Sequence, residues 1–301
     1  MCVMKHKGIF YSMVVMLLWG ALFTLVKLGY RFFGITSTGD ILAFAGIRFV
    51  VCGIIIVLFA LIRNPGSFHG AKHALFPVLL SGLFAIVLHY GFSYLGLKLT
   101  DGSKTAILKQ LGAVLYICFS PLFFPEDRLS VQKIGGLVLG VGGILAINMV
   151  SGSLRIHWGD VLIIAASFCT VISNIISKKA FDRVDPIVST GISQLFGGVV
   201  LLTVGIAAGG DGGKLIPASW QAVGVFFLIV AASVISYCLW FTVVKKEALS
   251  KLFIIKFAEP VFAAIFGWLL LGENILNINY ILAFLLISAG IIVANIKHKP
   301  Q

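Results

Sequence analysis

Two lysines stand inside apolar runs: Lys109 in "TAILKQLGAVLYICF" (105–119) and Lys256 in "LFIIKFAEPVFAAIF" (252–266). An ammonium group in hydrocarbon costs about 2.5–3.5 kcal/mol even on a lenient insertion scale. A pair of them can hold an anion: a phosphate ester, a carboxylate, or a dianion bridging both. Two other readings compete. Each lysine lies about six residues, roughly 9 Å, from its helix start, so its stem could snorkel toward the interface. Glu259 follows Lys256 by three, a spacing that allows an ion pair within one helix.

The neighbours of the lysines favour a cavity. Thr105, Lys109, Gly112, Tyr116 and Ser120 recur at helical spacing, as do Lys256, Glu259, Ala263 and Gly267. A stripe of polar and small residues faces a cavity more readily than lipid. Arg48 and Lys27 are the other cations within apolar runs, and Lys27 sits near a helix end, where it snorkels. His89 shares a face with Ser93 and Gly96, beside Tyr90. It reads either as a hydrogen bonder between helices or as a proton carrier, its unperturbed pKa being about 6.5. Glu259 is the other candidate for proton coupling. Trp19 and Phe23, with Tyr237 and Trp240, could supply apolar walls, and Ser167, Thr170, Asn174 and Ser177 line one helical face. The substrate-binding candidates are therefore Lys109, Lys256, Arg48, Tyr116, Glu259, His89, Tyr237 and Trp19.

These residues need elements that suit lipid. The 301 residues are 59% hydrophobic and 11% charged, with a mean hydropathy of +1.07. Apolar runs of about 20 residues, enough to cross a bilayer, recur along the chain. They are continuous and do not alternate with period two, so they read as helices and exclude a barrel. Ten spans fit, at about 9–30, 40–62, 74–97, 103–124, 132–150, 158–178, 186–208, 218–244, 250–271 and 278–296. The first run is too long for a signal peptide and no small-residue cleavage site follows it, so it is expected to be retained.

The net charge of +12 is mostly a topology signal. With the N-terminus in the cytoplasm, the inner side carries Lys5, Lys7, Arg63, Lys72, Arg128, Lys133, Lys178, Lys179, Arg183, Lys245, Lys246, Lys251, Lys297 and Lys299. The outer side carries only Arg31, Lys98, Lys104, Arg155 and Lys214. That bias puts both termini inside and gives no reason to invoke nucleic acid. The five cysteines are scattered without a C-x-x-C pair, and "HGAKH" places His69 and His73 in a loop with no third ligand. No metal and no cofactor is expected. The glycine-rich "GGLVLGVGG" (135–143) lacks the strand and Lys-Ser of a phosphate loop and reads as a close helix–helix contact.

A shift of 147 residues overlays the two halves: Tyr90 on Tyr237, Ser103 on Ser250, Lys104 on Lys251, Lys109 on Lys256. Glu126 falls on Glu273, Leu129 on Leu276, Gly143 on Gly290 and Asn148 on Asn295. Slightly different shifts bring Gly8 to Gly159 and Gly46 to Gly191. Five spans is an odd number, so the second half must enter the membrane upside down. Inverted repeats place a substrate site at their interface near the midplane. The expected organisation is an all-α integral membrane protein of ten transmembrane helices in two inverted five-helix repeats, 1–150 and 151–301, with both termini cytoplasmic.

"LLWGALF" in span 1, "AGIRF" in span 2, "PEDRLS" after span 4, "HWGD" before span 6 and "AEPVFAAIFGWLLLGE" in span 9 together resemble the drug/metabolite transporter superfamily, in its ten-helix branch with two EamA-type repeats. The resemblance covers essentially the whole chain. It implies a multi-pass permease of the cell membrane that moves small metabolites or drugs by alternating access. Phosphate-ester translocators of the superfamily are similar in using lysines in these two helices. Where the family often has a proline midway in span 4, matching Pro260, this sequence has Ala113.

The expected activity is secondary transport of a small organic anion, with protons or a counter-substrate as possible coupling partners. The alternative within transport is a proton-coupled exporter of amino acids or amphiphilic drugs that uses Glu259. An intramembrane enzyme acting on lipid phosphates would need paired carboxylates or a nucleophile–base pair, so the chain is not expected to be an enzyme. A membrane scaffold is disfavoured because little surface lies outside the spans.

Overall fold

The computed structural model describes residues 6–97, 99, 108–109, 112–114, 116–117, 122–148, 158–272 and 278–295. Among these residues all regular structure is helical. The helices are α1 (His6–Phe33), α2 (Thr38–Arg63), α3 (Leu75–Gly82), α4 (His89–Leu97), α5 (Val131–Asn148), α6 (Trp158–Ala180), α7 (Pro186–Ala207), α8 (Trp220–Lys246), α9 (Leu249–Ile255), α10 (Glu259–Leu271) and α11 (Ile278–Asn295). Seven segments among the described residues are long and apolar enough to cross a membrane. Much of the expected fourth span, nearly all of the loop before it, and Thr105 and Ser120 of its polar stripe fall outside the described residues, whereas Lys109, Gly112, Ala113 and Tyr116 are described. So does one member of each repeat pair Ser103/Ser250, Lys104/Lys251, Glu126/Glu273 and Leu129/Leu276.

Local chemistry explains the helix ends. Ser37 caps α2 by accepting from the Asp40 amide, while Asp40 reaches back to the Ser37 amide, a capping box. Asp185 caps α7, with Pro186 at its first turn. Gly34, Gly209 and Gly272 have positive φ where α1, α7 and α10 stop. Within lipid this self-contained bonding is obligatory, because no water is at hand to satisfy a free backbone group.

Two spans are not continuous α-helix. A π-helical stretch, Leu83–Leu88, joins α3 to α4 just before His89. A 3₁₀ turn, Lys256–Ala258, separates α9 from α10. The second break has a plain cause. Pro260 has no amide to give the Lys256 carbonyl, which instead accepts from the Glu259 amide.

The helices pack in a consistent set of pairs. α2 lies along α7, α5 along α11, α1 along α8 and α10, and α4 along α6. Glycine makes the α2–α7 contact close: a Cβ on Gly46 would fall 2.3 Å from the Leu202 amide nitrogen, and one on Gly205 would fall 2.3 Å from that of Ala43. Gly136 meets the Gly290 carbonyl in the α5–α11 contact, and Gly140 lies against Phe257. The glycine-rich run thus serves helix packing.

Two polar clasps join distant parts of the chain. Asp127 accepts from the Ser250 amide and hydroxyl and from Lys133, which also donates to the Arg128 carbonyl. Both members of the Asp127–Lys133 pair are buried. Asp40 accepts from the Asp211 amide at 2.9 Å and from Lys214 at 2.7 Å. α8 starts just after Lys214 and ends just before Ser250, so its length holds the two clasps at opposite ends of the bundle. Several cations that the sequence assigns to loops are therefore structural: Lys133 and Lys251 are buried, and Lys178 donates to the Val244 and Glu247 carbonyls.

Gly46→Ala is expected to lower the unfolding free energy by about 1–3 kcal/mol through overpacking. Gly224→Ala, where nothing lies within 4 Å, is expected to leave stability unchanged or slightly raised. Thermal unfolding of the purified protein in detergent compares them. By the same assay Asp127→Ala is expected to cost about 3–5 kcal/mol, because Lys133 stays buried, and adding Lys133→Met is expected to recover most of the loss.

Candidate functional site

Trp19 and Phe23 are one turn apart on α1, so they share a face. Each receives a lysine. The Lys256 ammonium lies 5.5 Å from the Trp19 ring centre and 5.8 Å from that of Phe253. The Lys109 ammonium lies 5.1 Å from the Phe23 ring centre. Residues 147 apart in sequence thus converge on one helix face. Trp19 is itself held by Tyr237 and Trp240 of α8, with ring centres at 5.8 and 5.1 Å.

Among the described residues neither lysine reaches a carboxylate within salt-bridge distance. Glu259 opens α10 directly after the 3₁₀ turn and acts electrostatically on both lysines. Its Oε2 is buried without a hydrogen-bond partner. The ion pair that the spacing of Lys256 and Glu259 allows is absent, because the Lys256 side chain turns to the aromatic rings. Both ammonium groups lie over aromatic rings, and both lysines are half-buried.

His89 follows the π-helical stretch. Its Nδ1 lies 3.0 Å from the Ala166 carbonyl and 2.9 Å from the Thr170 hydroxyl. A carbonyl only accepts, so Nδ1 carries the proton and Nε2 remains available. The charges of Lys109 and Lys256 both act on the ring. The other polar residues of α6 bind neighbouring helices. Ser167 donates to the Leu108 and Lys109 carbonyls at 3.1 and 3.2 Å. Asn174 accepts from the Trp240 indole at 2.8 Å, and Ser177 bonds Ser81 at 2.6 Å. The α6 face is adhesive between helices.

Gly112 packs on Ser167, and Tyr116, fully buried, stacks on Phe253 at 4.8 Å. The described members of the span 4 stripe therefore address three different helices. Only Lys109 joins Lys256, and Tyr116 supports the site from behind Phe253.

Arg48 lies apart from the lysines. Its guanidinium carbon sits 4.2 Å from the Phe49 ring centre and 5.3 Å from that of Tyr90. Tyr90 and Tyr237, repeat-related by the 147-residue shift, share a hydrogen bond between hydroxyls at 3.1 Å. Tyr30 and Tyr94, whose hydroxyls adjoin one another, also act on Arg48. Neither was singled out from the sequence, although Tyr94 follows Tyr90 by one turn and that spacing was a usable signal. Gln194 was also missed: it is a lone amide in an apolar run, buried with neither side-chain polar atom bonded.

The sequence model of the EamA-like transporter family matches residues 6–149 and again residues 157–296. An uncharacterized transporter of Bacillus subtilis, YoaV, is 27% identical over 286 residues, spanning 92% of both chains. An uncharacterized transporter of Synechocystis is 25% identical over 296 residues, covering 91% of this chain and 86% of its own. The uncharacterized inner membrane transporter YedA of Escherichia coli is 22% identical over 278 residues, covering 92% and 87%. A crystal structure at 19% identity superposes with a TM-score of 0.76 over 97% of this chain and 99% of the other, which establishes a shared fold.

Tyr90→Phe and Tyr237→Phe each remove one side of the hydroxyl pair. Their effects on unfolding free energy are expected to be non-additive, with a coupling of about 0.5–1.5 kcal/mol in a double-mutant cycle.

Proposed function

Because the chain belongs to the EamA-like transporter family and is a multi-pass membrane protein, we propose that it is a secondary transporter moving a small organic anion by alternating access. One observation carries the anionic cargo: Lys109 and Lys256, one from each half, meet on the Trp19–Phe23 face with no carboxylate in salt-bridge reach among the described residues. Aromatic faces offset only about 0.5–2 kcal/mol for each cation. An anion entering between them gains the rest of the compensation.

The ten-span organisation in two inverted halves, 1–150 and 151–301, with cytoplasmic termini, belongs to the same proposal. The helix pairing supports it. Exchange the halves, and α2 with α7 maps onto itself, as does α5 with α11, while α1 with α8 maps onto the α4 and α6 pair. The break at Lys256 supports a site there, since interrupted helices line transporter cavities. In this topology the Asp127–Ser250 clasp closes the cytoplasmic end and the Asp40–Lys214 clasp lies outside. Alternating access then loosens one end while the other holds.

A second reading has its own support in the unpartnered Glu259 Oε2. It makes the protein a proton-coupled exporter of amino acids or amphiphilic drugs.

Proteoliposomes loaded with labelled phosphate esters and carboxylates separate these readings. Lys109→Gln and Lys256→Gln are each expected to reduce anion uptake by about tenfold or more. Undiminished uptake of every anion in both variants overturns the anion site. Under the second reading, Glu259→Gln removes movement driven by a pH gradient and leaves downhill exchange. Under the first, gradient-free exchange falls by about tenfold or more with each lysine change.

A further inference from the structure

We propose that Arg48 and its surrounding tyrosines form a second anion subsite, separate from the lysine pair, and that the substrate is an elongated organic dianion with a carboxylate at the Arg48 end. The inference rests on the transport reading above.

Arg48 is only 3% exposed and lies about ten residues, roughly 15 Å, into α2. Among the described residues its guanidinium makes no hydrogen bond and no ion pair, and its Nε is sealed without a partner. Its contacts are the faces of Phe49 and Tyr90. Ring faces attract the charge but leave the five N–H donors unmet. A structural arginine at this depth would bond helix-end carbonyls or a carboxylate, and Arg48 does neither. Tyr30, Tyr90, Tyr94 and Tyr237, from α1, α4 and α8, act on it electrostatically. Phenol hydroxyls can turn to donate, and the planar fork of a guanidinium matches a carboxylate with two parallel bonds.

The two cationic centres are distinct but joined. Arg48 lies over Phe49 and Tyr90, whereas Lys109 and Lys256 lie over Phe23, Trp19 and Phe253, so the two centres share no ring. An aromatic strip connects the centres. Tyr90 lies edge-on to His89 at 5.0 Å, and Tyr237 touches Trp19 at 5.8 Å, which carries Lys256. A small monoanion fills one centre. A chain with acidic groups at both ends lies along the strip and fills both.

The test uses the full chain in nanodiscs and calorimetric titration with linear dicarboxylates of increasing length, alongside the monocarboxylates of matching length. One length of dicarboxylate is expected to bind at least about tenfold more tightly than its monocarboxylate. Arg48→Lys, which keeps the charge and loses the fork, is expected to erase that preference while monocarboxylate binding stays unchanged. Tyr94→Phe is expected to weaken the preference a few-fold, and Lys256→Gln to weaken both ligand classes. If Arg48→Lys does not fold, the length series on the unaltered protein and Tyr94→Phe still decide. Dicarboxylates binding no better than monocarboxylates at any length would overturn the proposal, as would a folded Arg48→Lys that keeps the preference. Binding that depends on the lysines and not on Arg48 removes this inference alone. Failure of the unaltered protein to bind any carboxylate overturns it together with the carboxylate form of the transport reading.

Discussion

Cations carried on strongly apolar helices govern this structure. Arg48 is buried and Lys109 and Lys256 are half-buried, and none has a carboxylate at salt-bridge distance among the described residues. The chain meets part of their cost with aromatic faces: Phe23, Trp19, Phe253, Phe49 and Tyr90. By contrast, Lys133 and Lys214 each pair with a carboxylate. Lys133 holds Asp127 and a carbonyl, and Lys214 holds Asp40. The two groups of cations thus differ in whether a carboxylate lies in reach among the described residues.

The scaffold rests on contacts close enough to exclude side chains. α2 and α7 approach through Gly46, Gly53, Gly198 and Gly205, each of which faces backbone of the other helix. In hydrocarbon there is little hydrophobic drive between helices, so dispersion at close range and a few interhelical hydrogen bonds set the association. The polar face of α6 supplies such bonds to α4, α8, α3 and the segment around Lys109. That rigid frame surrounds two breaks in helical regularity, one before His89 and one at Lys256.

Lys109 and Lys256 and their 147-residue relation could be read from the chain, because a charge in an apolar run stands out against any background. Family membership could be read for a similar reason: several weak motifs recur in order. The tyrosine group around Arg48 could be read only in part: the one-turn spacing of Tyr90 and Tyr94 marks a shared face, but the other members come from α1 and α8. The ion pair of Lys256 and Glu259 was a fair expectation from spacing on a regular helix. It fails because the aromatic floor of α1 draws the ammonium group away. Ser167, Thr170, Asn174 and Ser177 were correctly grouped on one face, but spacing alone does not say whether a polar face meets a cavity or another helix.

The sequence by itself determined the solvent, the helical class, the family and the presence of charges that lipid does not tolerate. Those follow from composition and local periodicity, which act residue by residue along the chain. Only the tertiary structure decided which charges have partners, that Lys109 and Lys256 share one face of α1, and that Tyr90 and Tyr237 meet. Such facts depend on how helices far apart in sequence cross, and crossing is set by the summed shape of both surfaces, a quantity no single segment carries.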